Sequence, residues 1–272
     1  MATSQGLLPH GDCFVIDTPV WDPDQYQRFR AQRDRAALDL LSRLPDVAPG
    51  EIWDLGCGTG EHAAMMKRRW PGAAVHGLDS SADMLARARA LPDEVDWIEG
   101  DAGAWAPARP VDLILANASL QWLPDHEALF ARIAAQLAPG GVFACQMPMA
   151  FETRHHAIMR ETAAEGPWAG ALAGVDTIAP LLAPEAYYDA LAGVCREIDL
   201  WSTTYLQVLD GEDAVLEWMK GTALRPYLTA LSGATRDAFL SALSGRLSAA
   251  FPRRADGTTL MPFPRLFLIA RR

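Results

Sequence analysis

The chain has 272 residues, a formal net charge of -10 at pH 7 and a hydrophobic fraction of 50%. A chain of this size and apolar content buries a substantial core, with room for a smaller subdomain. The acidic balance argues against a nucleic-acid partner bound through bulk electrostatics. The sequence contains no apolar run of membrane-spanning length and no basic stretch followed by an apolar one near its start. We therefore expect neither a membrane-bound nor a secreted protein.

The four cysteines lie far apart, without a Cys-x-x-Cys pair or a histidine at metal-ligand spacing: Cys13, Cys57, Cys145 and Cys195. We interpret them as ordinary thiols of a cytoplasmic protein and predict no metal site. We also expect a monomer or a weak dimer.

The first half of the chain alternates between short apolar runs and helical stretches. Residues 1–20 carry no periodic pattern and are expected to be a disordered extension, whereas residues 21–45 predict a turn and then an amphipathic helix that ends near Pro45. From residue 51 onward the predicted strands are EIWDLG, AVHGLD, VDWIEG, VDLILAN and GVFACQM. Apolar strands that alternate with helices predict a parallel sheet covered on both faces.

The alternation ends after Met147. Residues 151–193 predict helices joined by loops, and EIDLWSTTYLQVL predicts a strand because β-branched and aromatic residues dominate it. Two more helical stretches follow, and RLFLIAR predicts a final strand. We expect one domain over residues 21–272, with the N-terminal helix and a ligand-binding core at 21–150 and mainly helical insertions at 151–195 and 210–262.

The segment EIWDLGCGTGEH, residues 51–62, follows a predicted strand and opens a predicted helix, which is where open α/β sheets bind ligands. Three glycines stand at alternate positions behind an acid: Asp54, Gly56, Gly58 and Gly60. A dinucleotide fingerprint needs glycine where Glu61 stands, and a P-loop needs a Gly-Lys-Ser/Thr ending that is absent. A missing phosphate site predicts a nucleoside ligand without phosphates, of which S-adenosylmethionine is the common one.

Polar residues end the next three predicted strands. Asp79 stands where a carboxylate accepts both ribose hydroxyls, although DSSADM is also suited to capping a helix. Asp101 closes the third strand and Asn117 the fourth. Each has an explanation as a turn residue, but four polar residues at the ends of four successive strands favour a cofactor site.

An acid followed by Gly-x-Gly-x-Gly resembles the class I S-adenosylmethionine-dependent methyltransferases. This resemblance implies a Rossmann-like fold: a mostly parallel seven-stranded sheet with helices on both faces and a helical insertion near the C-terminus. It also places Asp101 beside the adenine. The remaining residues that it adds to the cofactor site are Ser80, Met84, Ala102 and Ser119.

A more specific resemblance is carried by ANASLQWLPDH, WDPDQY, LRPYL and FPRLFLIAR. These segments are similar to the trans-aconitate 2-methyltransferase family, from about Trp21 to the C-terminus. The resemblance implies that a carboxylate of a small polycarboxylic acid attacks the methyl group of the sulfonium, which gives a methyl ester and S-adenosylhomocysteine. Because a carboxylate is already ionised at neutral pH, we expect no catalytic base.

Aromatic residues near the predicted crevice have two interpretations. Trp21 and Tyr26 are expected to close over the cofactor, as their family counterparts do, and Trp122 to line the transfer cleft. Trp105 either flanks the adenine or packs in the core. Arg33 lies on the N-terminal helix, which commonly covers the cofactor in this fold, or is a solvated helix charge.

The acceptor's remaining negative charges require cations and hydroxyls. Arg225, before a proline, is expected to project from a helix end and to bind a carboxylate through its planar fork. Arg265 is expected at the mouth of the last strand, and Tyr205 and Gln121 complete the predicted acceptor set. Each also has a structural explanation, as a paired charge or a core residue.

One departure from the family pattern leaves the acceptor open, because Met149 and Ala150 replace an Asp-Asn pair. A hydroxyl or carbon acceptor would need a base, for which His155 or His156 are candidates, although surface helix histidines are the alternative interpretation. A non-catalytic S-adenosylmethionine sensor is a further alternative, and Glu61 disfavours an oxidoreductase.

Overall fold

The computed structural model describes residues 30–175 and 179–272. Within these ranges seven strands form a single sheet in the order β3-β2-β1-β4-β5-β7-β6. The strands are β1 Glu51–Leu55, β2 Ala74–Asp79, β3 Asp96–Glu99, β4 Val111–Asn117, β5 Leu137–Pro148, β6 Glu197–Asp210 and β7 Thr258–Arg271. The predictions for residues 1–20 lie outside the described part of the chain.

Helices separate most of the strands, with a short 3-10 helix at Leu120–Trp122. They are α1 Arg30–Ser42, α2 Glu61–Arg69, α3 Ala82–Ala88, α4 His126–Ala135, α5 Arg154–Ala164, α6 Ala169–Leu172, α7 Pro184–Ala192, α8 Ala214–Lys220, α9 Arg225–Ala230 and α10 Gly233–Ala250. None of these described helices is long and apolar enough to cross a membrane.

The first five strands run parallel, and β7 is antiparallel to both of its neighbours. Ile52 of β1 lies opposite Val75 of β2 on one side and Leu113 of β4 on the other. The chain therefore builds outward from β1 in one direction and, after β3, from β4 in the other. The carboxyl ends of β1 and β4 form the topological switch point, where open α/β sheets hold their ligands.

Both faces of the sheet are buried, as the continuous apolar runs of the strands predict. On one face, α1 and α2 pack against Ile52, Leu113 and Phe267. On the other face, α4 and α7 pack against Ile114 and Phe143. The predicted Rossmann-like fold is confirmed.

The helices α5, α6, α8, α9 and α10 form a third hydrophobic cluster, in which Met159, Phe239 and Leu243 are completely buried. Phe263 of β7 belongs to the same cluster. The predicted helical region near the C-terminus is therefore present, and it packs against the end of the β6–β7 strand pair where β6 ends and β7 begins.

The strand β7 begins earlier in the sequence than predicted. It starts at Thr258, which lies within the predicted helical insertion 210–262. Its pairing with β6 runs without interruption from Asp210 opposite Thr258 to Glu197 opposite Arg271. Two prolines, Pro262 and Pro264, obscured this half of the strand in the sequence. They are tolerated there because β5 pairs with β7 only from Arg265 onward, so the first half of β7 has an edge-like position.

Candidate active site

The turn after β1 brings the ends of β1, β2 and β4 together. The Gly56 and Cys57 N–H groups donate to the Leu78 carbonyl at 2.7 and 2.9 Å. Gly56 has a φ of 72°, and a Cβ on it would lie 2.3 Å from the Ser119 Cβ. Only glycine permits this approach, so the close contact between the ends of β1 and β4 depends on Gly56.

Glycine is required at the three motif positions for different physical reasons. A Cβ on Gly60 would lie 2.4 Å from the Trp97 ring, whereas a Cβ on Gly58 would meet no heavy atom within 4 Å. At Gly56 and Gly60 the missing side chain makes room for the protein's own Ser119 and Trp97, whereas Gly58 faces open space. That the backbone at these three glycines contacts the cofactor stays a prediction.

Asp79 joins the glycine turn to the start of the next helix. One carboxylate oxygen accepts from the Gly58 N–H at 2.8 Å and the other from the Ser81 N–H at 2.9 Å. The cap of α3 is Ser81, whose hydroxyl accepts from the Met84 N–H at 3.4 Å. Since each carboxylate oxygen has two lone pairs, Asp79 retains capacity for the predicted ribose hydroxyls. Nearby, Ser80 is exposed and the Met84 side chain is buried.

Asp54 is a buried carboxyl group beneath this turn. It is 1% exposed, and its Oδ2 has no hydrogen-bond partner among the described residues. Burial raises its pKa to about 7, and the negative charge of Asp79 adds to the effect. A cation in the crevice would favour the ionised form, so this site suits a positively charged ligand.

The end of β4 forms a strained turn beside Gly56. Ala118 has a φ of 52°, a left-handed conformation that is costly for a residue with a Cβ. The Ser119 hydroxyl donates to the Leu55 carbonyl at 2.6 Å, and the Gln121 amide donates to the Ala118 carbonyl at 2.7 Å. The Ser119 bond holds the turn against the end of β1, and the bond from the buried Gln121 closes the turn itself.

The residues predicted to lie beside the adenine make contacts within the protein. Asp101 is exposed and accepts from the Gly103 N–H at 2.7 Å. Trp105 is 5% exposed and packs against Trp53 at 5.4 Å between ring centroids, which places Trp105 in the core. Ala102 is partly buried and packs against the same cluster. On the other side of the crevice, half of the Trp122 surface is exposed.

Tyr205 anchors α1 to the sheet. Its hydroxyl donates to Asp39 of α1 at 2.6 Å, and the Arg35 guanidinium lies 5.0 Å above its ring. Burial raises the pKa of the Tyr205 phenol, and the bond to Asp39 adds to the shift. The hydroxyl predicted to face the acceptor is therefore occupied by a protein partner.

The two arginines predicted for the acceptor have different surroundings. Arg225 is the first residue of α9, is followed by Pro226 and is partly buried. Arg265 is 5% exposed, donates to Gln146 at 3.4 Å and lies 4.5 Å above the Phe263 ring. It was predicted at the mouth of the strand, but β7 begins seven residues earlier, so Arg265 lies inside the sheet region.

Both histidines are buried, so the alternative interpretation of them as surface helix residues is wrong. His155 is 1% and His156 5% exposed, and His155 lies against Phe251 and Phe263. Burial lowers the pKa of His155 to about 3 and that of His156 to about 4, with smaller contributions from His156 and Arg160 respectively. Both rings are therefore neutral at physiological pH.

Met149 and Ala150, which stand where the family pattern has an Asp-Asn pair, both pack in apolar surroundings. Ala150 is 4% exposed and belongs to the cluster of inserted helices, whereas Met149 packs against the cluster under α4 and α7. Polar side chains at these positions would interrupt both contacts.

Trp21 and Tyr26, which are predicted to bind the cofactor, lie outside the described residues, and the side chain of Arg33 is not described either.

One residue that sequence reasoning missed is Gln146, which is 1% exposed and donates to Asn117 at 2.7 Å. Its signal was a single amide within the apolar run GVFACQM.

Residues 29–194 match a family model described as a methyltransferase domain. Because this match covers more than half of the chain, the chain belongs to the methyltransferase family. At the level of individual proteins, it is 51% identical to the trans-aconitate 2-methyltransferase of Azoarcus sp. (strain BH72), over 93% of this chain and 100% of the relative. The predicted family is thereby confirmed.

Solved structures give the same fold. The YcgJ protein of Bacillus subtilis matches with a TM-score of 0.55 and 12% identity, over 87% of this chain and 97% of that one. A phosphoethanolamine N-methyltransferase of Haemonchus contortus, solved with S-adenosylhomocysteine, matches with a TM-score of 0.52 and 20% identity, over 88% of this chain and 52% of that one.

Gly56→Ala tests the contact between the ends of β1 and β4. The added methyl group meets Ser119, so we expect the free energy of unfolding to fall by about 3–5 kcal/mol, from backbone strain and overpacking together. Gly58→Ala is the matched control, because it carries the same backbone penalty without a collision, and should lose about 1–2 kcal/mol. Urea denaturation measures both; equal losses would contradict the packing explanation.

Asp54→Asn tests the buried carboxyl group. The folded-state pKa of about 7 lies above the unfolded value, so the carboxyl's contribution to stability is complete below about pH 4 and is lost as pH rises through about 7. From about pH 4 to 8 the wild type should therefore lose on the order of 2–4 kcal/mol relative to Asp54→Asn. The exposed Asp46→Asn is the control. Urea unfolding across this range measures the difference, and parallel pH profiles would rule out the raised pKa.

Proposed function

We propose that this protein transfers the methyl group of S-adenosylmethionine to a carboxylate of trans-aconitate. The observation that carries the proposal is the crevice between β1 and β4, where an open glycine turn lies beside the carboxylates of Asp54 and Asp79. Such a site suits a cationic nucleoside without phosphates. The name of the relative that shares half of its residues with this chain supports trans-aconitate as the acceptor.

The residues at the crevice fit the proposed cofactor. Gly58 offers backbone beside open space, and Asp79 has lone pairs for hydroxyl groups. The Asp54 Oδ2, which accepts no hydrogen bond from the described residues, suits a positive charge. When bound, S-adenosylmethionine supplies an electrophilic methyl group on a positively charged sulfur. The Haemonchus contortus structure with S-adenosylhomocysteine supports this choice of cofactor. The other sequence-predicted contacts remain part of the proposal, namely Trp21, Tyr26, Arg33, Gly56, Gly60, Ser80, Met84, Asp101, Ala102, Ser119 and Trp122. Trp105 is left out because it packs in the core.

The chain's own residues have to position the acceptor rather than activate it. An ionised carboxylate is a competent nucleophile, so the proposed reaction needs no base. Burial lowers the pKa of both candidate histidines, which makes them weak bases, and His155 packs against Phe251 and Phe263. The work that remains is to hold the carboxylate in line, exclude water and balance the acceptor's other charges. Arg225 and Arg265 are the proposed cations, with Gln121 beside the transfer cleft.

The protein is also proposed to be cytoplasmic and to act as a monomer or weak dimer. The thiols of Cys57, Cys145 and Cys195 are free, which supports a reducing compartment.

The proposed reaction is tested by incubating the protein with S-adenosylmethionine and trans-aconitate, its cis isomer or citrate. Mass spectrometry should detect a monomethyl ester, formed fastest from trans-aconitate. If S-adenosylhomocysteine binds but no acid is esterified, a sensor or a different acceptor replaces the proposal. If it does not bind, the cofactor assignment fails.

Asp79→Asn tests the proposed ribose contact. The amide can still accept one backbone N–H bond but loses the charge, so we expect S-adenosylhomocysteine to bind about tenfold more weakly by isothermal titration calorimetry. Asp83→Asn, an exposed residue in the first turn of α3, makes the same charge change nearby and should leave affinity unchanged. Equal affinities for Asp79→Asn and the wild type would place the ribose elsewhere.

A further inference from the structure

Gln146 links β7 to β4 through a buried amide. Its Oε1 accepts a hydrogen bond from Arg265 at 3.4 Å, and its Nε2 donates to the Asn117 Oδ1 at 2.7 Å. Gln146 lies opposite Asn117 in the register of β4 and β5. The three side chains therefore form a continuous polar row at the carboxyl end of the sheet.

The chemistry of the three groups fixes their orientation. A guanidinium group only donates, so the carbonyl oxygen of Gln146 must face Arg265 and its NH₂ group must face Asn117. Asn117 then accepts through Oδ1, and its own NH₂ group faces the opposite direction. Among the described residues, that NH₂ group makes no hydrogen bond.

The NH₂ group of Asn117 belongs to the crevice at the switch point. Asp54 lies opposite Leu115 in the register of β1 and β4, and alternate residues of a strand share one face. Asn117 is thus on the face of Asp54, one step closer to the glycine turn. An N–H donor in this position complements the carboxylates around it by offering a site for an anion.

We propose that Arg265 and Gln146 are positioning residues that orient Asn117 so that its NH₂ group binds a ligand carboxylate. This inference rests on the proposed function, which supplies two such carboxylates, one on the acceptor and one on the amino-acid end of the methyl donor. In this role Arg265 acts on the ligand through the two amides of Gln146 and Asn117.

Two substitutions of Gln146 separate orientation from stability. Gln146→Glu still accepts from Arg265 but cannot donate to Asn117, so Asn117 turns its NH₂ group inward and its oxygen to the crevice; carboxylate affinity should fall about tenfold. Gln146→Met removes both bonds without reversing Asn117, so affinity should fall only about threefold. Thermal stability should follow the opposite order, because Met leaves the buried Arg265 donor without this acceptor.

Isothermal titration calorimetry identifies the carboxylate. One arm compares S-adenosylhomocysteine with 5′-methylthioadenosine, which lacks the amino-acid end; the other titrates trans-aconitate into the S-adenosylhomocysteine complex. A loss confined to S-adenosylhomocysteine assigns the donor's carboxylate, and a loss confined to trans-aconitate, matched by a higher KM, assigns the acceptor's. A loss shared equally by 5′-methylthioadenosine would overturn the inference.

A double-mutant cycle excludes direct repulsion by the new charge. In an Asn117→Ser background, Gln146→Glu should cause no further loss, because its effect passes through the Asn117 amide. Gln136→Glu, at the opposite end of β4, is the control for an added charge and should leave both affinities unchanged. A full additional loss in the Asn117→Ser background, or folded Gln146 variants with wild-type affinities, would overturn the inference alone. Failure of the wild type to bind S-adenosylhomocysteine would contradict the proposed function itself.

Discussion

The site depends on the close approach of the ends of β1 and β4. Gly56 packs against Ser119 where any side chain would collide, and the Ser119 hydroxyl donates to the last carbonyl of β1. After β1 the chain continues to β2 on one side of the sheet, and after β4 it continues to β5 on the other side. A crevice therefore lies between the turns that follow these two strands. The strained backbone of Ala118 is held by the same contacts. Without this approach, Gly58, Asp79 and Asn117 would not share one site.

The electrostatics of the crevice oppose folding and favour ligand binding. Within the described part of the chain the buried Asp54 has no cation partner, and Asp79 lies close enough to raise its pKa further. Burying these two carboxylates together lowers the free energy of unfolding. A bound cationic ligand offsets this loss because it supplies the counter-charge. The row from Arg265 to Asn117 supplies the complementary element, since it presents an N–H donor beside these acids. In the proposed reaction, this crevice holds a sulfonium and a carboxylate, which are the two charges that have to meet.

The sequence predicted the sheet well where local patterns carry the signal. The apolar runs from EIWDLG to GVFACQM each became a strand, and the acid-glycine motif lies at the switch point as expected. Long-range packing explains the failures. Nothing local shows that Gly56 faces Ser119, that the histidines lie beneath Phe251 and Phe263, or that Tyr205 reaches Asp39 on a helix far away in sequence. The prolines that hid the start of β7 are tolerated because β5 ends there, a fact of register that the sequence does not display.

The most direct test of the account is a crystal structure of the protein with S-adenosylhomocysteine and trans-aconitate bound. The account predicts the nucleoside along the Gly58 turn, its ribose hydroxyls on Asp79 and a carboxylate within hydrogen-bond distance of the Asn117 NH₂ group. A nucleoside bound outside the crevice between β1 and β4, or one whose ribose does not contact Asp79, would contradict it.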